Sequence, residues 1–82
     1  MTLRILQRRE GGTIVIQVVG HLAGDGVSEL EGICQTVHPP LTLHLKDLRR
    51  VDTKALEVLN RLADAGATLR GISPYFALLL GR

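Results

Sequence analysis

The residues best suited to chemistry lie in the segment 46–56, between a predicted buried strand and a predicted helix. Asp52 and Thr53 directly precede the apolar stripe of that helix, so one of them is expected to cap it. Thr53 would present its hydroxyl at the helix N-terminus, where backbone N–H groups and the helix dipole favour a phosphate. Lys54 and Arg50 add positive charge. The segment predicts either a site for a phosphorylated hydroxyl or a helix cap alone.

The glycine-rich segment Gly20–Gly26 is the second candidate for binding. It matches neither a Walker loop nor a G-x-G-x-x-G turn, so it is a weak nucleotide signal. We expect a flexible loop here between a strand and a helix. Asp25 is expected to cap that helix.

Cysteine and histidine side chains lack the spacing of a catalytic or metal site. Cys34 falls on the apolar stripe of a predicted helix, and a buried free cysteine behaves as a small hydrophobic residue. His21, His38 and His44 lack ligand spacing, and no cysteine pair accompanies them. His44 stands between two strand leucines and is interpreted as structural. We therefore expect no enzyme activity, no catalytic residue, no metal, no cofactor and an unreactive Cys34.

Length and composition bound the class of protein. The 82 residues allow one domain, 1–82, and 45% apolar content argues against disorder. A net charge of +2, with Tyr75 and Phe76 the only aromatic residues, argues against a nucleic-acid partner. The lone cysteine excludes an internal disulfide and favours a reducing compartment. Without the apolar run of a signal peptide or a membrane span, we expect a cytoplasmic protein with no direct membrane insertion.

Four strands are predicted, and they must position the two candidate segments, 20–26 and 46–56. The run Thr13–Val19 is β-branched and apolar on both faces except at Gln17, so it should be central in the sheet. A turn at Gly11-Gly12 should pair it with the first strand as a hairpin. The strands are predicted at about 3–8, 13–19, 41–45 and 68–72.

Three helices are predicted from apolar residues at helical spacing. Pro39-Pro40 should end the first, Gly66 the second, and Ser73 should cap the third, which runs from about Pro74 to Leu80. The stripe of the first helix is Val27, Leu30, Ile33, Cys34 and Val37, and that of the second is Ala55, Leu56, Leu59, Leu62 and Ala63.

The resulting order is β-β-α-β-α-β-α. Strands that alternate with helices imply right-handed crossovers and parallel pairing, while the first hairpin makes the sheet mixed. The fold class is therefore α/β, a single-layer mixed four-stranded sheet with all helices packed on one face.

Three stretches of the chain resemble the STAS family. They are residues 18–22 (VVGHL), 43–56 (LHLKDLRRVDTKAL) and 65–69 (AGATL), and their order and the order of elements are those of the family. The family is shared by anti-sigma-factor antagonists, sulfate-transporter tails and small subunits of lipid-transport ABC systems. The match spans nearly the whole chain.

The resemblance implies a non-catalytic, protein-binding regulatory module of the bacterial anti-sigma-factor antagonist type. In such antagonists a partner serine kinase, which doubles as the anti-sigma factor, phosphorylates the Ser or Thr after the Asp. Thr53 would be that acceptor, and its phosphorylation would break the contact with the partner. The partner-binding surface would consist of His21, Asp25, Asp52, Thr53 and Lys54.

The sequence departs from the antagonists at several positions. Ala23 and His44 stand where the family has Asp, Ala55 where it has Gly, and Lys54 follows the acceptor. The triplet 51–53 (VDT) is closer to the lipid-transport subunits, so the alternative is a small cytoplasmic subunit that docks on the ATPase of an ABC transporter. Family members usually continue with another strand and helix, so we expect an open sheet edge for a partner or a homodimer.

Overall fold

The computed structural model describes residues 3–37 and 40–81. His38 and Pro39, the latter predicted to help end the first helix, lie outside the described residues. The elements in chain order are β1 (Leu3–Glu10), β2 (Thr13–Leu22), α1 (Asp25–Gln35), β3 (Leu41–His44), β4 (Leu48–Val51), α2 (Thr53–Asp64), β5 (Thr68–Arg70) and α3 (Pro74–Leu80).

Strand β2 is the centre of a mixed sheet. It pairs antiparallel with β1 across the Gly11-Gly12 turn, and parallel with both β3 and β4. β3 lies along the first half of β2 and β4 along its end, while β5 adds in parallel to the outside of β3. The predicted hairpin, central strand and mixed sheet are confirmed.

Within residues 3–37 and 40–81 the sheet has five strands, so the predicted count of four is wrong. The missed strand is β4, which was predicted as a loop. Its pairing with β2 shifts register between Gly20 and His21. Leu48 and Val51, three residues apart, therefore both pack towards the core. Strict alternation would place them on opposite faces, so β4 carries no period-two signal.

Three hydrogen bonds at the turn before β4 bring this strand beside β2. The Leu48 N–H donates to the Leu45 carbonyl at 3.1 Å, and the Gly20 N–H donates to the Asp47 carbonyl at 3.1 Å. The Gln17 amide also donates to the Asp47 carboxylate at 3.0 Å. The one polar residue of the central strand thus holds the turn from which β4 and then α2 begin.

One face of the sheet carries the core. Ile16, Val18 and Leu22 of β2 are fully buried on this face, and Gln17, Val19 and His21 alternate with them on the opposite face. All three helices add buried side chains to this one cluster, which confirms that they pack on one face. Those helix residues are Val27, Leu30, Cys34, Ala55, Val58, Leu59, Phe76 and Leu80.

Several predicted boundaries are wrong. β2 continues to Leu22, so only Ala23 and Gly24 remain of the predicted 20–26 loop before α1. Asp25 does not cap α1: it is the first helical residue, and Gly24 is the N-cap without a side-chain bond. β5 ends at Arg70, two residues earlier than predicted.

The capping of α3 is as predicted. Pro74 occupies the first turn, and the Ser73 hydroxyl accepts a hydrogen bond from the Phe76 N–H at 3.2 Å. The Asn60 amide donates to the Leu80 carbonyl at 3.0 Å, which fixes the other end of α3 to α2.

Candidate functional site

Asp52 joins the start of α2 to the loop between β2 and α1. One carboxylate oxygen accepts from the Ala55 N–H at 2.8 Å, as an N-cap does, and the other accepts from the Gly24 N–H at 3.1 Å. The Asp52 N–H also donates to the Leu22 carbonyl at 3.3 Å. Gly24 has φ 58° and ψ −130°, a conformation that residues with a side chain rarely adopt.

These bonds keep Asp52 ionised. The N–H of Ala55 and then that of Gly24 hold the pKa of the Asp52 carboxyl below its usual range, and the charge of Lys54 acts in the same direction. Both oxygens accept from the protein's own amides. A carboxylate in this position is a structural clamp and a poor general base.

Thr53 and Lys54 are exposed at the first two positions of α2. As at the start of any α-helix, the N–H groups of Thr53 and Lys54 have no intrahelical acceptor, and the Asp52 side chain accepts from the N–H of Ala55 instead. The Thr53 hydroxyl is therefore open to another protein. A phosphate on it would lie near these amides and also near the ionised Asp52.

Asp25 lies beside the same junction at the start of α1, and His21 lies near the end of β2. Asp25 is exposed and directly follows Gly24, whose N–H is bound by Asp52. His21 is half-buried in β2, opposite Arg50 of β4. Its Nδ1 is buried and has no hydrogen-bond partner in the part of the chain described. Asp25, Thr53 and Lys54 thus lie beside the junction at Asp52, whereas His21 alternates with the buried Leu22 and faces the side of the sheet away from the helices. The role of all five residues in binding stays a prediction.

The remaining chemical candidates are placed away from this junction. Cys34 is buried in α1, and this burial, with the nearby Glu31 charge, raises the pKa of its thiol. A reactive thiol needs the opposite shift. His44 points away from the buried leucines of β3, as predicted. Among residues 3–37 and 40–81, no three His, Cys, Asp or Glu side chains converge as metal ligands.

Sequence reasoning missed a groove between β4 and α3. It has a volume of about 220 Å³, and its lining residues are Arg49, Arg50, Val51, Tyr75, Phe76 and Leu79. The available signal was the uniformly apolar sequence of α3, because so short a helix cannot bury every side chain. The residues left outside are then candidates for contact with a partner.

The Asp52 clamp gives a pH-dependent prediction. Asp52→Asn should lower the melting temperature at pH 7, because its carboxylate is bonded to two amides only in the folded state. A pKa lowered by folding means that this stabilisation is present above the unfolded-state pKa of about 4 and is lost as pH falls through the folded-state pKa. The difference between variant and wild type, measured by circular dichroism melts, should therefore shrink from pH 7 to pH 3.

Asp25→Asn is the matched control for this experiment. Asp25 also begins a helix, but the start of α1 has no side-chain cap bond. We expect a smaller loss at pH 7 than for Asp52→Asn. Equal losses for the two variants, or an Asp52→Asn deficit that stays constant down to pH 3, would contradict the clamp.

No helix in the described part of the chain is long and apolar enough to cross a membrane. No family model matches the chain, and no curated protein matches it. Comparison with solved structures is informative. A structure of the anti-sigma factor antagonist SpoIIAA in its unphosphorylated form superposes with a TM-score of 0.72 at 20% identity. The match covers 95% of this chain and 82% of that one.

A crystal structure of Mglu gives a TM-score of 0.69 at 15% identity. The match covers 84% of this chain, and this chain spans only 20% of the length of the Mglu chain. At these identities the two likenesses show the fold.

Proposed function

We propose, from the STAS fold that this chain has, that it is a non-catalytic regulatory module of the anti-sigma-factor antagonist type. It would act in the cytoplasm by binding a protein partner through the surface of His21, Asp25, Asp52, Thr53 and Lys54. The solved structure with 95% coverage of this chain is itself an anti-sigma factor antagonist, which supports this class. The module would make no covalent change itself.

The observation that carries this proposal is the exposed Thr53 hydroxyl on a rigid support. Thr53 begins α2 directly after Asp52, whose two oxygens tie α2 to the loop at Gly24. A partner kinase could reach the hydroxyl without unfolding the helix. The surface around it is held in place by backbone hydrogen bonds, so a partner would meet a preformed site.

Phosphorylation of Thr53 would break partner binding by electrostatics. The added group carries a charge of about −1.5 to −2 at pH 7. It would lie beside the ionised Asp52 and would have to be desolvated inside the interface. The free amides at the start of α2 would stabilise the phosphorylated form of the separate module. Both effects favour the unbound state.

The second candidate function is that of a small subunit on the ATPase of a lipid-transport ABC system. The triplet 51–53 (VDT) favours it, because Thr at this position resembles those subunits. In that case the same surface would bind the ATPase, without a phosphorylation switch. Pull-down with mass spectrometry separates the two candidates, since one predicts a serine-kinase anti-sigma factor and the other an ABC ATPase.

Thr53→Glu is expected to weaken binding of a kinase partner by roughly tenfold or more, about 1.4 kcal/mol. A carboxylate at this position adds negative charge to the interface next to Asp52. Thr53→Ala should bind like wild type and should incorporate no phosphate from ATP. Dissociation constants measured by calorimetry, together with a kinase assay, test both statements.

Thr68→Glu is the matched control for the added charge. Thr68 is also exposed, but it begins β5, at the end of the parallel strands opposite to the start of α2. We expect this variant to bind the partner like wild type. If Thr53→Glu also binds like wild type, Thr53 is only the first residue of a helix and the proposed switch is wrong.

A further inference from the structure

Helix α3 exposes an unusual share of large apolar side chains. Tyr75 is 66% exposed, Leu78 79% and Leu79 43%. Among residues 3–37 and 40–81 the other large exposed hydrophobic residue is Leu6, which lies in β1. Three apolar residues on one short helix form a contiguous patch, and contiguous patches commonly mark interaction sites.

The patch is rigid. Ser73 caps the start of α3, and the Asn60 amide holds the carbonyl of Leu80 at its end. The buried Phe76 and Leu80 anchor the helix to the core. Binding of a partner here would therefore cost little conformational entropy in this chain.

The charge beside the patch is positive. The groove between β4 and α3 is lined by the exposed Arg49 and Arg50, together with Val51 and the apolar side chains of α3. Residues 71–81 contain no charged residue. A groove that combines a pair of arginines with apolar side chains is complementary to a segment that combines carboxylates with apolar side chains.

We propose that this groove binds a short segment of a protein partner in which apolar residues are flanked by Asp or Glu. The apolar side chains would pack against Tyr75 and Leu79, and the carboxylates would pair with Arg49 and Arg50. Tyrosine and arginine are enriched among the residues that dominate binding energy in protein interfaces. The chain would thus have a second interaction surface, next to the junction at Asp52.

Two other occupants fit less well. Pairing of two copies about a two-fold axis through α3 would bring Arg49 and Arg50 of both copies together, and like charges in an interface are unfavourable. An anionic membrane would also attract the arginines, but the groove is concave. A concave site suits an inserted side chain better than a flat lipid surface.

This inference goes beyond the proposed function and does not use phosphorylation of Thr53. β4 links the two surfaces, because it ends at Val51 in the groove, one residue before Asp52. The test below uses neither a kinase nor a change at Thr53. Failure of one proposal therefore leaves the other standing.

The test is selection of a phage-displayed library of random 12-residue peptides on the whole chain. We expect enriched peptides to combine Leu, Ile or Phe with Asp or Glu. The affinity of a labelled, selected peptide should fall roughly tenfold or more in Leu79→Ser and in Arg50→Glu. Replacing the acidic residues of the peptide with Lys should restore binding to Arg50→Glu. Circular dichroism should show that both variants fold, because both side chains are exposed.

Leu6→Ser and Arg70→Glu are the matched controls, because they change an exposed leucine and an exposed arginine elsewhere. Both should bind the selected peptide like wild type. The proposal is overturned if selection yields no acidic apolar peptide, or if the groove variants bind as tightly as the controls.

Two further measurements would overturn the proposal in favour of another occupant. One is co-sedimentation with vesicles of phosphatidylcholine containing 30% phosphatidylserine that is lost in Leu79→Ser. The other is concentration-dependent dimerisation in analytical ultracentrifugation that is lost in the same variant. Absence of both, together with peptide binding through the groove, supports it.

Discussion

Replacing Leu59 with alanine is expected to lower the free energy of unfolding by about 2–5 kcal/mol. Leu59 is 1% exposed and lies in α2, inside the cluster that joins all three helices to the sheet. Truncation removes buried methyl groups and leaves a cavity that a close-packed core closes only in part. A domain of this size has a total stability on the order of 5 kcal/mol. The variant should therefore be largely unfolded at 37 °C.

Urea unfolding followed by circular dichroism measures this loss. Leu78→Ala is the control, since it makes the same truncation on a side chain that is 79% exposed. It should change stability by no more than about 0.5 kcal/mol. Similar urea midpoints for the two variants would mean that the assigned core of α2 is wrong.

The core of α2 shows how much helical periodicity predicts. The apolar spacing identified Leu59 and Ala55, which are both buried, but it omitted Val58, which is fully buried. Leu56 and Leu62 are only partly buried. The spacing fixes the side of the helix that faces the sheet, whereas the width of the buried stripe depends on its neighbours, here α1 and α3.

The candidate site was predictable where its geometry is local. A cap at Asp52 or Thr53 follows from their place before an apolar stripe, and the structure shows that Asp52 is the cap. The bond from Asp52 to the Gly24 N–H joins residues 28 positions apart and depends on how β2 and β4 pair. Asp25 had the residue type of a cap, but the backbone of Gly24 takes that position instead.

Helical periodicity could not predict the groove between β4 and α3, for a different reason. The sequence of α3 is apolar at nearly every position, so it has no polar side to mark the exposed surface. Which residues are left out is decided by where β4 and α2 meet the helix. β4 itself was not predicted, so neither its arginines nor their closeness to α3 could be foreseen.

Gly71→Ala is expected to destabilise the fold by about 1–3 kcal/mol through backbone strain alone, with crowding in addition. Gly71 has φ +73°, and a Cβ there would lie 3.0 Å from the backbone nitrogen of Lys46. Lys46 has little room to move, because the Leu45 N–H donates to the Arg70 carbonyl at 2.8 Å and the Leu45 carbonyl accepts from Leu48 at 3.1 Å. A shift of Lys46 would disturb both the end of β5 and the turn into β4.

Gly81→Ala separates the crowding from the strain. Gly81 has φ +75°, nearly the value at Gly71, but a Cβ there meets no atom within 4 Å. The gain from restricting the unfolded chain is the same for both substitutions and cancels in the comparison. Urea unfolding should therefore show a larger loss for Gly71→Ala than for Gly81→Ala. The difference between the two losses measures how strongly the backbone at Lys46 resists displacement by the new Cβ. Equal losses for the two variants would show that the turn before β4 moves aside without a cost in stability.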